Sequence, residues 1–171
     1  MRGINVTASQ TDRSMGLVNN CRSTAHVAAP TLSNGELNHM SFTQIIYSSK
    51  PFGFNASVLD DILTVSRRLN SRDDITGMLI CRADMYLQFI EGPDAAIQAT
   101  YARIIADDRH LDINLLVSNE VADRLFPKWA MRDDPPRSWM WSHAEVSAGA
   151  IKTSTQGQVL EIFQRLANEV N

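Results

Sequence analysis

One strand-like stretch of the sequence carries a polar side chain among apolar ones. Gln88 interrupts the run MYLQFIEG and shares a face with Tyr86 and Ile90, because side chains of a strand alternate between its two faces. A buried amide left without hydrogen-bond partners costs about 1–3 kcal/mol, so a buried Gln88 needs defined partners. The amide offers donors and an acceptor, which suits recognition of the polar edge of a heterocycle.

Three further polar residues can join Gln88 in one cluster. Tyr47 ends the first predicted strand, which should neighbour the strand of Gln88, while Ser66 and Asn70 lie about one turn apart on the first predicted helix. Each residue also has an ordinary explanation: a solvent-facing glutamine, a core tyrosine, or an asparagine at a helix end. Periodicity does not show that the four converge, so the cluster is a hypothesis at this point.

Familiar enzyme signatures do not occur in the sequence. It has no glycine-rich phosphate loop, HExxH, CxxC or nucleophile elbow, and it supplies no catalytic acid–base pair. The histidines are scattered, at His26, His39, His110 and His143, which gives little support to a metal site. We therefore expect a protein that is not an enzyme and holds no metal. A nucleotide cofactor would be held without a Rossmann-type phosphate loop.

The elements that would position these residues follow from apolar periodicity. Strands are predicted over residues 42–48, 75–81, 85–91, 111–119 and 126–131, and helices over residues 58–70, from residue 93 onward, and over residues 155–169. This order predicts an α+β fold, a ferredoxin-like β-α-β-β-α-β sheet with an extra strand and a C-terminal helical appendage. The first and third strands should be neighbours at the sheet centre, with both crossover helices on one face.

Three regions of the chain differ in character. Residues 1–39, rich in Ser, Thr, Asn and Ala, predict a disordered leader; residues 40–132 predict the folded domain; residues 133–171 predict a helical extension. The net charge of −3 argues against nucleic acid as the main partner, and no apolar run approaches a membrane span. Cys21 and Cys81 lie in different settings and predict no disulfide, so a reduced, cytoplasmic protein is expected.

Five blocks of sequence follow one another over residues 41–132: IIYSSKPF, SRRLNSRDDITGMLI, MYLQFIEGP, RIIADDRHLDINLL and RLFPKWAM. Taken together, in this order and at this spacing, they resemble BLUF domains, which sense blue light using flavin. Single pieces of these blocks are weak signals, whereas five in register are specific. The resemblance implies a photoreceptor that binds FAD non-covalently and signals to a separate downstream protein or through its own homo-oligomer.

The resemblance implies photoactive roles for four residues. Tyr47 matches the tyrosine that donates an electron and then a proton to the excited flavin, and Gln88 matches the glutamine whose amide changes orientation or tautomer under light. Trp129 and Met131 match a pair on the last strand that exchanges position or hydrogen bonding between the dark and lit states. Their spacing of two predicts that both lie on one face of that strand.

The resemblance also implies residues that hold the cofactor. Asn70 matches the asparagine that bonds the polar edge of the flavin ring, and Ser66 matches a small polar position beside the ring. Arg72, Arg109 and His110 fall where the family supports the ribityl and phosphate portions of FAD. Tyr47 and Gln88 complete this predicted set.

Alternatives to a photoreceptor stay open from the residues alone. One is a flavin-dependent redox enzyme, which would need a substrate cleft and acid–base groups. Another is a ferredoxin-like small-molecule-binding module, since this fold serves many functions. The sequence also leaves open whether Trp139, Met140 and Trp141 cover the open face of the sheet or join an interface.

Overall fold

Five strands and five helices make up the part of the chain, residues 41–170, that the computed structural model describes. The strands are β1 (Phe42–Pro51), β2 (Thr76–Arg82), β3 (Met85–Gly92), β4 (His110–Val121) and β5 (Arg132–Asp134). The helices are α1 (Ala56–Arg72), α2 (Asp94–Ile105), α3 (His143–Ser147), α4 (Ala150–Thr153) and α5 (Gln156–Val170). The predicted leader, residues 1–39, and Cys21 lie outside the described residues.

The strands form one mixed sheet in the order β4-β1-β3-β2-β5. β1 is antiparallel to both β3 and β4, β2 is antiparallel to β3, and β5 runs parallel to β2 at the edge. The predicted α+β, ferredoxin-like arrangement with an added strand is therefore confirmed. The prediction that the first and third strands are neighbours is also confirmed, and their register sets Tyr47 opposite Gln88.

Side chains alternate along the strands and so contribute to two separate apolar clusters, one on each face of the sheet. On the first face, strand residues pack with Ile62 of α1 and Ile97 of α2; we call this the α1/α2 cluster. On the second face, Phe89 of β3 packs with Phe163 of α5, with ring centroids 5.3 Å apart; we call this the α5 cluster. Both crossover helices thus lie on one face, as predicted, and the C-terminal helix covers the other.

The three residues at positions 139–141 belong to the second face. Met140 is buried in the α5 cluster, and Trp139 and Trp141 pack against that cluster. The guanidinium of Arg165, on α5, lies 4.1 Å from the ring centroid of Trp139, a distance at which a cation–π contact forms. These side chains therefore help to cover the open face of the sheet, which the sequence alone did not decide.

Helix α1 is fixed at its start and presents a mixed face to the sheet. The Asn55 side chain accepts a hydrogen bond from the Val58 backbone N–H at 2.9 Å, which satisfies one free donor of the first turn. Ile62 and Leu63 are buried against the sheet, and so is Asn70 near the far end of the helix. A polar side chain is thereby placed on the buried side of α1.

The last strand differs from the predicted one. Residues 126–131 are not a strand; β5 begins at Arg132 and includes Asp133 and Asp134, which lie in the stretch predicted as the helical extension. Residues 125–131, here called the crossing segment, start in the α5 cluster with Phe126 and reach the α1/α2 cluster with Met131. Their apolar alternation therefore reflects passage around the edge of β2 from one face to the other.

Candidate functional site

A cavity of about 220 Å³ lies between α1, α2 and the first face of the sheet. Six of the predicted site residues line it: Tyr47, Ser66, Asn70, Gln88, Arg109 and His110. They come from four elements, because β1, α1, β3 and the start of β4 all reach this space. Arg72 does not line the cavity; it is exposed and its Nε donates to Asp73 Oδ1 at 2.7 Å.

Tyr47 and Gln88 form the buried centre of the site. The Tyr47 hydroxyl donates a short hydrogen bond to Gln88 Oε1, and Gln88 Nε2 faces Met131 Sδ at 3.7 Å. The two residues are 0% and 4% exposed. Burial is the first cause that raises the pKa of Tyr47 well above its ordinary value, with Tyr101 and Asp107 adding to it. The phenol therefore keeps its proton across the physiological pH range.

Helix α1 ties the crossing segment to the cavity. Asn70 Nδ2 donates to the Ala130 carbonyl oxygen at 2.7 Å, and Arg67 Nε donates to the Met131 carbonyl oxygen at 3.0 Å. Asn70 also lines the cavity, so one side chain touches both the cavity and the crossing segment.

Trp129 and Met131 do not share a strand face, contrary to the prediction. Met131 belongs to the α1/α2 cluster beside Gln88, whereas Trp129 packs against the α5 cluster. Both residues precede β5, and the Trp129 carbonyl oxygen accepts from the Gly77 N–H at 2.9 Å. In the part of the chain that the structure describes, the Trp129 indole N–H is buried without a partner, and the Arg132 guanidinium lies 5.0 Å from its ring centroid. The absence of a regular ladder at 126–131 removes the two-residue alternation on which the prediction relied.

The side of the cavity near β4 is polar and carries cationic groups. His110 is buried with Nδ1 2.8 Å from Ser49 Oγ, and burial lowers the pKa of its imidazole. Arg109 pairs with Asp107, which raises the pKa of the guanidinium and lowers that of the carboxyl group. Arg103 Nη2 donates to Thr100 Oγ1 at 2.7 Å.

Three polar lining residues escaped the sequence analysis: Thr100, Arg103 and Asp107. Thr100, Arg103 and Ile104 recur at three- and four-residue spacing along α2, and Asp107 continues that stripe just beyond the helix. This stripe was the available signal, because residues at such spacings share one helix face.

The lining groups fit a flat aromatic cofactor with an anionic tail. Apolar side chains of α1 and α2, among them Ile62, Leu69 and Ile104, can pack against the faces of a ring system. The amides of Asn70 and Gln88 can pair with ring nitrogens and carbonyls. Arg103 and Arg109 can neutralise phosphate, because a guanidinium binds phosphate oxygens with two parallel donors.

Two other features are absent from residues 41–170. No group of three or more potential metal ligands occurs among these residues. None of the described helices has the length and apolarity needed to cross a membrane.

Comparisons with known proteins agree with this chemistry. A family model described as sensors of blue light using FAD matches residues 42–132. The alpha subunit of a photoactivated adenylate cyclase from Euglena gracilis is 30% identical over 108 residues, which are 61% of this chain and 11% of that protein. The blue light- and temperature-regulated antirepressor BluF of Escherichia coli is 29% identical over 43% of this chain and 18% of its own length. This chain thus spans only a small part of these relatives.

A solved structure of a BLUF protein has a similar fold. The dark-state structure of BlrB, a BLUF protein, superposes with a TM-score of 0.64 at 25% identity, covering 77% of this chain and 99% of that one.

Proposed function

Since the chain belongs to the BLUF family of flavin-based blue-light sensors, we propose that light acts here through Tyr47 and Gln88 and that the crossing segment passes the signal on. The observation that carries this proposal is the buried contact chain from the Tyr47 hydroxyl to the Gln88 amide and on to Met131 Sδ. It joins the cavity to a segment that leaves the site. No step along this series of contacts consumes a substrate, which accords with a sensor rather than an enzyme.

FAD is the cofactor that we assign to the cavity. When bound, a flavin supplies light absorption and an excited state able to accept an electron. Asn70, Ser66 and Gln88 hold the polar edge of the ring, and Arg109 and His110 hold the ribityl and phosphate portions. Arg103 joins Arg109 in this proposal, because both cationic side chains line the cavity.

Arg72 keeps its place in the proposed set only through Asp73, the carboxylate that it shares with Arg103 of the cavity lining. Its exposed side chain would have to leave Asp73 before it could reach a phosphate. An exposed ion pair contributes little to stability, so the exchange of partners is inexpensive.

In the proposed photocycle Tyr47 would give up an electron and then its hydroxyl proton to a bound flavin and would take both back from it, so that no net oxidation remains. The raised pKa supports this order, because the proton is still on the phenol when the electron leaves. Gln88 then turns or tautomerises its amide. A methionine sulfur accepts hydrogen bonds weakly and donates none, so an amide that turns its oxygen toward Met131 loses the contact now made by Nε2. The loss shifts the balance between two positions of the crossing segment.

The arrangement with Met131 against Gln88 is the resting one in this proposal, and Trp129 is the residue that exchanges with it. The present position of Trp129 is energetically unfavourable in one respect, since its buried indole N–H has no partner within the described residues. An unpaired buried donor costs about 1–3 kcal/mol, which a move to a hydrogen-bonded position would recover.

The output of this chain is proposed to be a contact with a separate signalling protein or with a second copy of itself, in the cytoplasm. In this proposal residues 40–132 are the sensor, and residues 133–171 are the extension, whose helix α5 covers the second face of the sheet. The named relatives, a cyclase and an antirepressor, indicate that such domains serve different outputs.

The decisive experiment is an absorption spectrum of the purified protein before and after blue light. We expect a flavin spectrum that shifts slightly to the red, recovers in darkness, and does not shift in Tyr47→Phe or Gln88→Leu. Tyr101→Phe is the matched control, because its ring lies 5.7 Å from that of Tyr47 but makes no hydrogen bond to Gln88. Chromatography of the released cofactor distinguishes FAD from FMN. Bound flavin with no reversible shift would refute light sensing, and turnover with a nicotinamide donor would favour a redox enzyme.

A further inference from the structure

Glu91 is a fully buried carboxylate at the end of β3, three residues beyond Gln88. Its side chain has the parity of Phe89 along the strand and therefore reaches the second face, away from the cavity. Oε2 accepts from Gln44 Nε2 at 3.0 Å and from the Leu125 N–H at 2.8 Å. Oε1 accepts from the Phe126 N–H at 2.6 Å and from Thr76 Oγ1 at 3.3 Å.

These four contacts join three neighbouring strands to the start of the crossing segment. Gln44 on β1 and Thr76 on β2 are the residues directly opposite Glu91 in the two antiparallel ladders. The two backbone N–H groups belong to residues where the chain leaves the second face. All four partners donate to the carboxyl oxygens of Glu91, two of them from the backbone of the crossing segment, so Glu91 is a firm attachment point.

The far end of the crossing segment is attached differently. There the carbonyl oxygens of Trp129, Ala130 and Met131 accept from a β2 N–H and from side chains of α1. Glu91 is therefore an attachment on the face opposite the flavin-side residues, beside Arg124, which binds Asp74 and Thr76. The residues that lie between the two ends of the crossing segment include Trp129.

We propose that Glu91 is a positioning residue of the photocycle, resting on the proposed function above. It holds residues 125–126 on the second face, so that Trp129 stays against the α5 cluster while Met131 contacts Gln88. Glu91 touches neither cofactor nor Tyr47. It acts through the backbone of the crossing segment and favours the resting arrangement to which the protein returns in darkness.

The test is Glu91→Gln, which keeps the shape but presents an NH₂ group to one pair of donors. The red shift should persist, because the cavity is untouched, whereas recovery in darkness should slow by about fivefold, the equivalent of one net hydrogen bond in the resting arrangement. Asp94→Asn is the matched control: this carboxylate lies three residues on and accepts from Thr43 and Gln98 at the surface. It should leave the recovery rate unchanged.

A second variant separates positioning from general loosening. Gln44→Leu removes one donor to the same carboxylate but leaves both backbone bonds to the crossing segment, so it should lower the melting temperature without slowing recovery. If Glu91→Gln recovers at the wild-type rate or faster, or if Gln44→Leu slows recovery equally, the positioning role is wrong. Should Glu91→Gln fail to fold, Glu91→Asp, which keeps the charge but retracts it by one methylene, is measured by the same criteria. Absence of any light response in the wild type would instead refute the proposed function.

Discussion

Replacing Phe163 by alanine tests whether α5 is an integral layer of the fold. The Phe163 side chain is fully buried and packs against both Phe89 of β3 and Phe126 of the crossing segment, with ring centroids at 5.3 Å in a tilted contact and 6.4 Å in an edge-to-face contact. A buried phenylalanine removes about 150–250 Å² from water, and Phe→Ala changes in cores cost about 3–5 kcal/mol. The two aromatic neighbours cannot fill the cavity that the substitution leaves, so we expect the free energy of unfolding to fall by about 3–4 kcal/mol.

The expected loss translates into a measurable shift in thermal stability. For a domain of roughly 130 residues, an unfolding entropy near 2 cal/mol/K per residue converts it to a melting temperature lower by about 10–15 °C. Urea unfolding followed by circular dichroism gives the free energy directly, and Gln164→Ala on the exposed side of the same helix is the control. A loss below about 1 kcal/mol would refute the reasoning, because it would mean that α5 does not stabilise the sheet. Flavin binding at low temperature should survive, since the cavity lies on the other face.

Three further predictions follow from single residues. Gly77→Ala should cost at least about 3 kcal/mol or prevent folding, because its Cβ would lie 2.1 Å from a carbonyl oxygen of β3. Gly157→Ala in α5, where the nearest neighbour of the Cβ would be Thr155 Oγ1 at 4.0 Å, an ordinary contact distance, should be neutral or stabilising by urea unfolding. Burial holds the pKa of His110 below its ordinary 6.5, so the unfolded chain binds the extra proton and the stability contribution is full above that pH and lost as pH falls below it. His110→Asn should therefore flatten the rise of the melting temperature between pH 5 and 7, and an unchanged slope would contradict the assignment. Burial also raises the pKa of Cys81 to about 11. In a Cys21→Ser background, a thiol reagent at pH 8 should react roughly a hundredfold more slowly than with the unfolded protein, and equal rates would contradict this.

The order of the elements could be predicted because each is strongly periodic by itself. The alternation around Tyr47 and Gln88 and the apolar stripe of α1 are local features, and split-βαβ topology then leaves few ways to arrange them. The neighbouring positions of these two residues followed from that topology, and the structure pairs them directly.

The crossing segment could not be predicted in the same way. Its backbone groups bond to Glu91, Asn70 and Arg67, which lie 34 to 64 residues away along the chain. Local alternation does not distinguish such side-chain partners from a strand ladder. Arg72 illustrates a related limit, because a match in a motif places a residue near a site without showing which way its side chain extends.

The edge position of β5 has a consequence for the energetics of motion. Detaching β5 breaks the three-residue ladder with β2 but leaves the other four strands paired. The free energy of that local opening is therefore only a fraction of the free energy of global unfolding, so the amide protons of β5 should exchange with solvent well before those of β1 and β3. Such a difference in opening cost allows this region to change its partners repeatedly while the rest of the domain stays folded.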